Sequence, residues 1–461
     1  MPTHTRPMNS ATGFRAGTAK TRHEYFPVGS TAASLRPTVL PVPARNPALE
    51  SGDHAEDTTN SYLLSGRTRV GMKTLISTLY RGICRSAVLL AVVLGANAAQ
   101  AFDLGNGFHL GGALRYNYVY KDWDPKYDGK GLIDLDTARI DAGYDRRPWL
   151  VSAQYRYYRY RGGQETYFLH HAWVGRRFGE DTQLHLGVNP IPFGILPFAS
   201  HNFYFSMAYY VGLEDSYNLG GKLLHKAGPW DLQLGYYVRD GGHWSGDSES
   251  SARYTFNIVE EGEVRNRERD TVIGRAAYGV EHGAAGSSEF GLSLLAGRLP
   301  NATTGRDGHR HAGAVHYRGG YGPWGVMLQA ARYVNSVENP PGQDRRIVIM
   351  GAYDFPYQVA ARGNVYTANL SYAVGDWGPL RDVTLYSDYG KLDKDVAAFR
   401  DSEQWAFGVS FTPFDKLFVY VDYLRGRQHP YIGPNFSTGL AAGGTDDAWH
   451  ERVNINVGLY F

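Results

Sequence analysis

The sequence predicts an all-β fold, a transmembrane antiparallel β-barrel of about 16 strands, and three observations lead to it. The chain carries 56 Gly, 34 Tyr, 20 Phe and 9 Trp, a composition of strands and turns rather than of helices. Apolar and polar residues alternate with a period of two in segment after segment, the mark of a sheet whose faces meet different surroundings. Aromatics fall at both ends of the apolar parity, as at Trp230 and Tyr236 or Trp405 and Phe411, where a barrel in lipid puts its interfacial girdles. A mean hydropathy of −0.38 excludes a polytopic helical membrane protein. A formal charge of +2 gives no field that argues for nucleic acid.

The averages conceal a boundary. From Met72 the chain reads MKTLISTLYRGICRSAVLLAVVLGANAAQA, with Lys73, Arg81 and Arg85 ahead of the apolar run Ala87 to Leu94 and a closing Ala99-Gln100-Ala101. That order is a secretory signal peptide, residues 72–101, with cleavage expected after Ala101. Its apolar core is shorter than the roughly 20 residues of a permanent span. Residues 1–71, scattered with Pro, Ser, Thr and Arg, read as an upstream extension outside the native protein, and 102–461 as the barrel. The leader and extension hold 11 of the 47 Lys+Arg and 5 of the 45 Asp+Glu, so residues 102–461 carry 36 basic and 40 acidic groups, a charge of −4. The single cysteine, Cys84, leaves with the leader, which suits a chain that crosses an oxidising compartment unfolded.

Along the barrel segment, Phe108, Leu110, Leu114, Tyr116 and Tyr118 share one parity, and His109, Arg115 and Asn117 the other. Trp230, Leu232, Leu234 and Tyr236 separate in the same way from Asp231, Gln233, Tyr237 and Arg239. At the end, Val453, Ile455, Val457, Leu459 and Phe461 alternate with Arg452, Asn454, Asn456, Gly458 and Tyr460. Short turns are expected at 145–148, 179–182, 227–229, 281–288, 319–322, 374–381 and 412–415, alternating with outer loops as in a bacterial barrel. The long loops are 190–216, 240–267, 335–357 and 426–447, and Arg346 to Tyr353 reads equally as a strand or as part of its loop. A barrel of this size is expected to leave an aqueous channel.

The working residues of a channel face its lumen. On the polar parity stand the basic Arg115, Arg139, Arg156, Lys222, Arg239 and Arg275, with Arg318 and Arg452, and the acidic Asp141, Asp231, Asp388 and Asp422. The third outer connection, NPIPFGILPFASHNFYFSMAYYVGLEDSYN, holds Pro190, Pro192 and Pro197, which deny it ladder pairing, yet it is too apolar for a loop in water. It is expected to fold into the barrel and present His201, Asn202, Glu214 and Asp215. Facing Arg115, Arg139 and Arg156, those acids would set up a transverse field across a constriction. Subunit contact is the competing use for its aromatics.

The runs GVNPIPFGILPF and YYVGLEDSYNLGGKL, with the ending VNINVGLYF, resemble the gram-negative porin group and, more narrowly, the phosphate-selective porin O and P type. The resemblance implies a 16-stranded, homotrimeric, passive channel in the bacterial outer membrane, with its third loop inside the pore and a terminal Phe that serves assembly. Its expected partners are outer-membrane lipid and small hydrophilic solutes, phosphate or other small anions among them. The alternative is a receptor or adhesin barrel with ligand-binding outer loops. No enzyme is expected: neither G-x-S-x-G nor H-E-x-x-H occurs, and the His170-His171 pair and His309 with His311 form no local catalytic signature. No cofactor or metal is called for.

Overall fold

A computed structural model describes residues 102–127 and 129–461. The leader and upstream extension therefore lie outside the described residues. Sixteen antiparallel strands close into a barrel, joined edge-on by the four-residue segment Phe102–Gly105. The first eight are β1 (Phe108–Lys121), β2 (Leu132–Arg146), β3 (Trp149–Arg159), β4 (Glu165–Phe178), β5 (Thr182–Pro190), β6 (Tyr217–Ala227), β7 (Trp230–Asp240) and β8 (Arg269–Glu281). The second eight are β9 (Ser287–Pro300), β10 (Asp307–Tyr321), β11 (Trp324–Ser336), β12 (Arg362–Trp377), β13 (Leu380–Lys394), β14 (Ser402–Phe414), β15 (Leu417–Arg427) and β16 (His450–Tyr460). Closure comes from β1 against β16, in register from Ala113 opposite Tyr460 to Lys121 opposite Arg452. That closure leaves no free edge among the sixteen wall strands.

The period of two does what it was expected to do. In β1, Arg115, Asn117 and Val119 are buried inside while Tyr116 and Tyr118 are exposed outside. In β7, Leu232, Leu234 and Tyr236 face out and Gln233 and Tyr237 face in. Exposed Phe108, Trp149, Phe178, Trp230, Trp324, Trp377 and Phe414 sit at the short-turn ends of their strands and form one aromatic girdle. Neighbouring strands brace it, as where Trp230 meets Tyr278 and Trp324 meets Tyr372, both with ring centroids 4.8 Å apart.

Each short turn overlaps the stretch that the sequence assigns to it, those at 322–323 and 415–416 by one residue, and the strands between are joined at the other end by loops. Four of those loops are long: L3 (191–216), L4 (241–268), L6 (337–361) and L8 (428–449). The ambiguous stretch of L6 is a hairpin, Ile347–Ala352 against Phe355–Ala360, and Met350 pairs with Ile258 of L4 to make a three-stranded sheet apart from the barrel wall. This hairpin belongs to no barrel strand, so the wall keeps its even count.

The largest difference from expectation lies within. The loop-end half of the lumen is packed rather than open. Phe203, Phe205 and Tyr209 of L3, Tyr254 and Phe256 of L4, Tyr353 and Tyr357 of L6, and Ile432 and Leu440 of L8 form one continuous buried cluster. Phe205 stacks on Tyr209 at 4.1 Å, and Tyr209 meets Phe256 edge-on at 5.0 Å. A ring so buried contributes about 1.5–3 kcal/mol in transfer free energy, enough to fold apolar loops inward.

The outer face predicts a substitution effect. Leu234 is 56% exposed at the middle of β7. Leu234→Arg should destabilise the barrel in lipid vesicles by about 2–4 kcal/mol, measured by urea unfolding, while Leu234→Ala costs much less.

Candidate functional site: the L3 strap and the arginine wall

L3 runs along the inner wall from β8 to β16, and each of those strands holds it with one lumen side chain. It begins at Gly194, whose φ of +67° and close approach to the wall leave no room for a side chain: a Cβ there would lie 2.3 Å from Gln329 Oε1. Arg275 of β8 donates from Nε to the Gly194 carbonyl (2.9 Å), and the Gly194 amide donates to Ser293 of β9 (3.0 Å). Arg318 of β10 donates to the Leu196 carbonyl (3.0 Å), and Gln329 of β11 accepts from the Ile195 amide (2.8 Å). Asn369 of β12 donates to the Ala199 carbonyl.

Asp388 of β13 is the densest anchor. Its carboxylate accepts the amides of His201 (2.6 Å) and Asn202 (2.8 Å), the Asn202 side chain (2.8 Å), and pairs with His201 Nδ1 at 2.7 Å. Asp422 of β15 accepts the Phe203 amide (3.2 Å), Gln404 of β14 donates to the Phe205 carbonyl (2.9 Å), and Tyr204 donates to Asn454 of β16 (3.2 Å). A buried loop needs such partners because its backbone N–H and C=O groups have no ladder to join.

Across from the strap stands a wall of arginines. Arg115, Arg139 and Arg156 are buried lumen residues of β1, β2 and β3, and Arg139 is directly opposite Arg156 in the ladder. Arg115 pairs with Asp136 at 2.8 Å and Arg139 with Asp141 at 3.1 Å. The guanidinium carbons lie 5.6 Å from the Phe203 ring for Arg115 and 4.5 Å from the Tyr254 ring for Arg156, and that of Arg452 lies 4.5 Å from Tyr204. Desolvated contacts of this kind are worth up to about 2 kcal/mol each.

The acids of L3 take donors from the loops. Glu214 closes the loop on itself, with Oε1 accepting the Ala199 amide (2.9 Å) and Oε2 the Ser206 amide (3.2 Å). Asp215 accepts the hydroxyls of Tyr217 (2.9 Å) and Tyr254. His201 and Asn202 are taken by Asp388. The carboxylates of the strap thus have loop donors around them, and Asp215 also feels the charge of Arg156.

The remaining basic residues divide. Lys222 is buried on β6 in register with His185 of β5. Arg275 pairs with Asp231 (3.2 Å) and Glu289 (2.6 Å) beneath Gly194. Arg239 is solvent-exposed at the loop end of β7. A register shift between Leu219 and Gly220 of the neighbouring strand puts Leu219 opposite Arg239 and Gly220 opposite Tyr237, and such a bulge re-aims the side chains beyond it. His170 and His171 both turn inward at a bulge opposite Gln154 and Tyr155, whereas His309 and His311 are exposed on the outer parity of β10.

Tyr254, Tyr353 and Tyr357 were not among the expected site residues. Their signal was the apolar content of ARYTFNIV (252–259) and IVIMGAYDFPYQVAA (347–361), too high for loops in water.

No family model matches the chain, and no curated protein matches it. Among solved structures it is similar to OmpT, an outer membrane protein of Vibrio cholerae, at 13% identity over 77% of this chain and 99% of that one, with a TM-score of 0.48. It is similar to the outer membrane channel DcaP of Acinetobacter baumannii at 13% identity, 77% and 97% coverage and TM-score 0.49. An anion-selective porin from Comamonas acidovorans aligns at 14% identity, 77% and 99% coverage and TM-score 0.49.

Asp215 gives the strap a pH dependence. Burial pushes its carboxyl up to about 7, against the pull of the Tyr254 and Tyr217 hydroxyls. A raised acid favours the folded state fully below its unfolded value near 4 and loses that contribution as pH rises to about 7. Thermal stability should therefore fall between pH 4 and 7 by more in the wild type than in Asp215→Asn, which cannot ionise. Parallel curves would remove Asp215 as the cause.

Proposed function

We propose that this chain is a bacterial outer-membrane porin through which small hydrophilic solutes, small anions foremost, diffuse passively. The carrying observation is the two-sided lumen. A strap stitched to β8–β16 faces Arg115, Arg139 and Arg156 on β1–β3. The apolar outer face with its aromatic girdle supports residence in lipid. Three arginines beside aromatic rings on one wall of the lumen favour anions, since guanidinium groups keep their charge at all working pH. A homotrimeric assembly belongs to the same reading and rests on the sequence resemblance, and export by a cleaved leader rests on the order of charged, apolar and small residues in 72–101.

The receptor alternative is disfavoured by the loops themselves. L3, L4, L6 and L8 bury most of their large apolar side chains in one cluster instead of displaying them.

Reconstituted in a planar bilayer, the protein should give discrete conductance steps and a reversal potential of anion sign in a salt gradient. Arg115→Gln together with Arg156→Gln should move that potential toward cations. Absence of steps would refute the channel, and an unmoved potential would remove these arginines from selectivity.

A further inference from the structure

Above the arginine wall, at the loop end of β16, Arg452 is 1% exposed and in register with Lys121 of β1, itself 5% exposed. Its Nη1 donates to the Tyr431 carbonyl of L8 (3.2 Å), and its plane is held 4.5 Å from the Tyr204 ring of L3. The other edge of the guanidinium, Nε and Nη2, has no hydrogen-bond partner, and no ion pair to Arg452 occurs among the described residues. An arginine cannot shed its proton, so a buried guanidinium without an acid demands an anion or its equivalent.

The surrounding groups offer donors. Asn454 spends its Oδ1 on the Tyr204 hydroxyl (3.2 Å), and its Nδ2 has no acceptor. His429 Nδ1 accepts the Tyr431 amide (3.1 Å), so the neutral ring carries its proton on Nε2, also without an acceptor. Burial, with Arg452 nearby, pushes His429 down to about 3 and keeps it neutral. The Tyr431 hydroxyl is likewise unpartnered.

We propose that Arg452, Asn454, His429 and Tyr431 form a seat for a small monocarboxylate where L8 meets β16. Nε and Nη2 form the side-on fork of the guanidinium, whose two parallel N–H groups match the two oxygens of a carboxylate. A halide brings one acceptor atom to the fork where a carboxylate brings two. Tyr204, Tyr210 and Tyr431 supply an apolar wall suited to a carbon-bearing solute and poorly suited to a hydrated phosphate dianion; Tyr210 and Tyr431 stand 5.3 Å apart. The seat deepens the channel reading as a first station on the solute's path. Because binding is read at equilibrium without a bilayer, its failure is distinct from a failure to conduct.

The test is a titration of the detergent-solubilised full barrel with 13C-labelled acetate, followed by line broadening, with chloride and phosphate as competitors. Acetate should bind saturably and resist an equal concentration of either competitor. Arg452→Lys, which keeps the charge but loses the fork, should weaken binding at least tenfold, and Asn454→Ala severalfold, with both variants fully folded at the temperature of the titration. Acetate that does not saturate the wild type, chloride or phosphate that displaces it on equal terms, or Arg452→Lys that binds as tightly would overturn the seat and leave water as the occupant of these donors.

Discussion

The carboxylate of Asp388 holds the rest of the lumen in place. It gathers two successive backbone amides, a side-chain amide and an imidazole from His201 and Asn202 onto β13. Hydrogen bonds to a charged acceptor are worth about 1.5–3 kcal/mol each, and an amide left unpaired in a buried site costs a similar amount. A proline-interrupted segment has no ladder of its own, so its course along the wall depends on such side chains. Once His201 and Asn202 are pinned, Phe203 and Tyr204 are delivered to Arg115 and Arg452.

The other loops are layered on that base. Tyr209 of L3 shares a hydroxyl contact with Tyr353 of L6, and Tyr357 of L6 donates to the Tyr210 carbonyl (2.6 Å). The L6 turn then organises its neighbours: Asp354 accepts the amides of Asp247 (2.7 Å) and Ser248 (2.9 Å) from L4 and the side chain of Gln164 (2.7 Å). The hairpin of L6 thus bridges L3 below and L4 beside it. Polar contacts at the loop backbones set the geometry, and buried aromatic area supplies most of the driving force.

What could be read in the sequence follows from which constraints are local. Lipid outside and polar surroundings inside impose a period of two on every strand, so Leu232, Leu234 and Tyr236 declare their face without knowledge of any partner. Turns such as Arg147-Pro148 and Gly322-Pro323 mark themselves by residue type. The inward fold of L3 was legible because its prolines and aromatics contradict both a strand and a loop in water. The role of Asp388 was not, since the His201 amide that it gathers lies 187 residues away along the chain. The packed loop-end lumen escaped because a count of strands gives the width of a barrel and says nothing of what its loops bring inside.

The central claim is that L3 is held against β13 inside the barrel, and a cross-link tests it directly. A Cβ added at Gly390 of β13 would lie 3.3 Å from the Cβ of Met207, near the spacing of about 3.5–4.5 Å that a disulfide spans. The only native cysteine, Cys84, precedes the barrel segment, so Met207→Cys with Gly390→Cys introduces an isolated pair. Mild oxidation of the folded double variant should form the bond quantitatively and remove both thiols from reaction with a maleimide. Two thiols that stay freely reactive under the same oxidation would contradict the account, because L3 would then not lie against that wall.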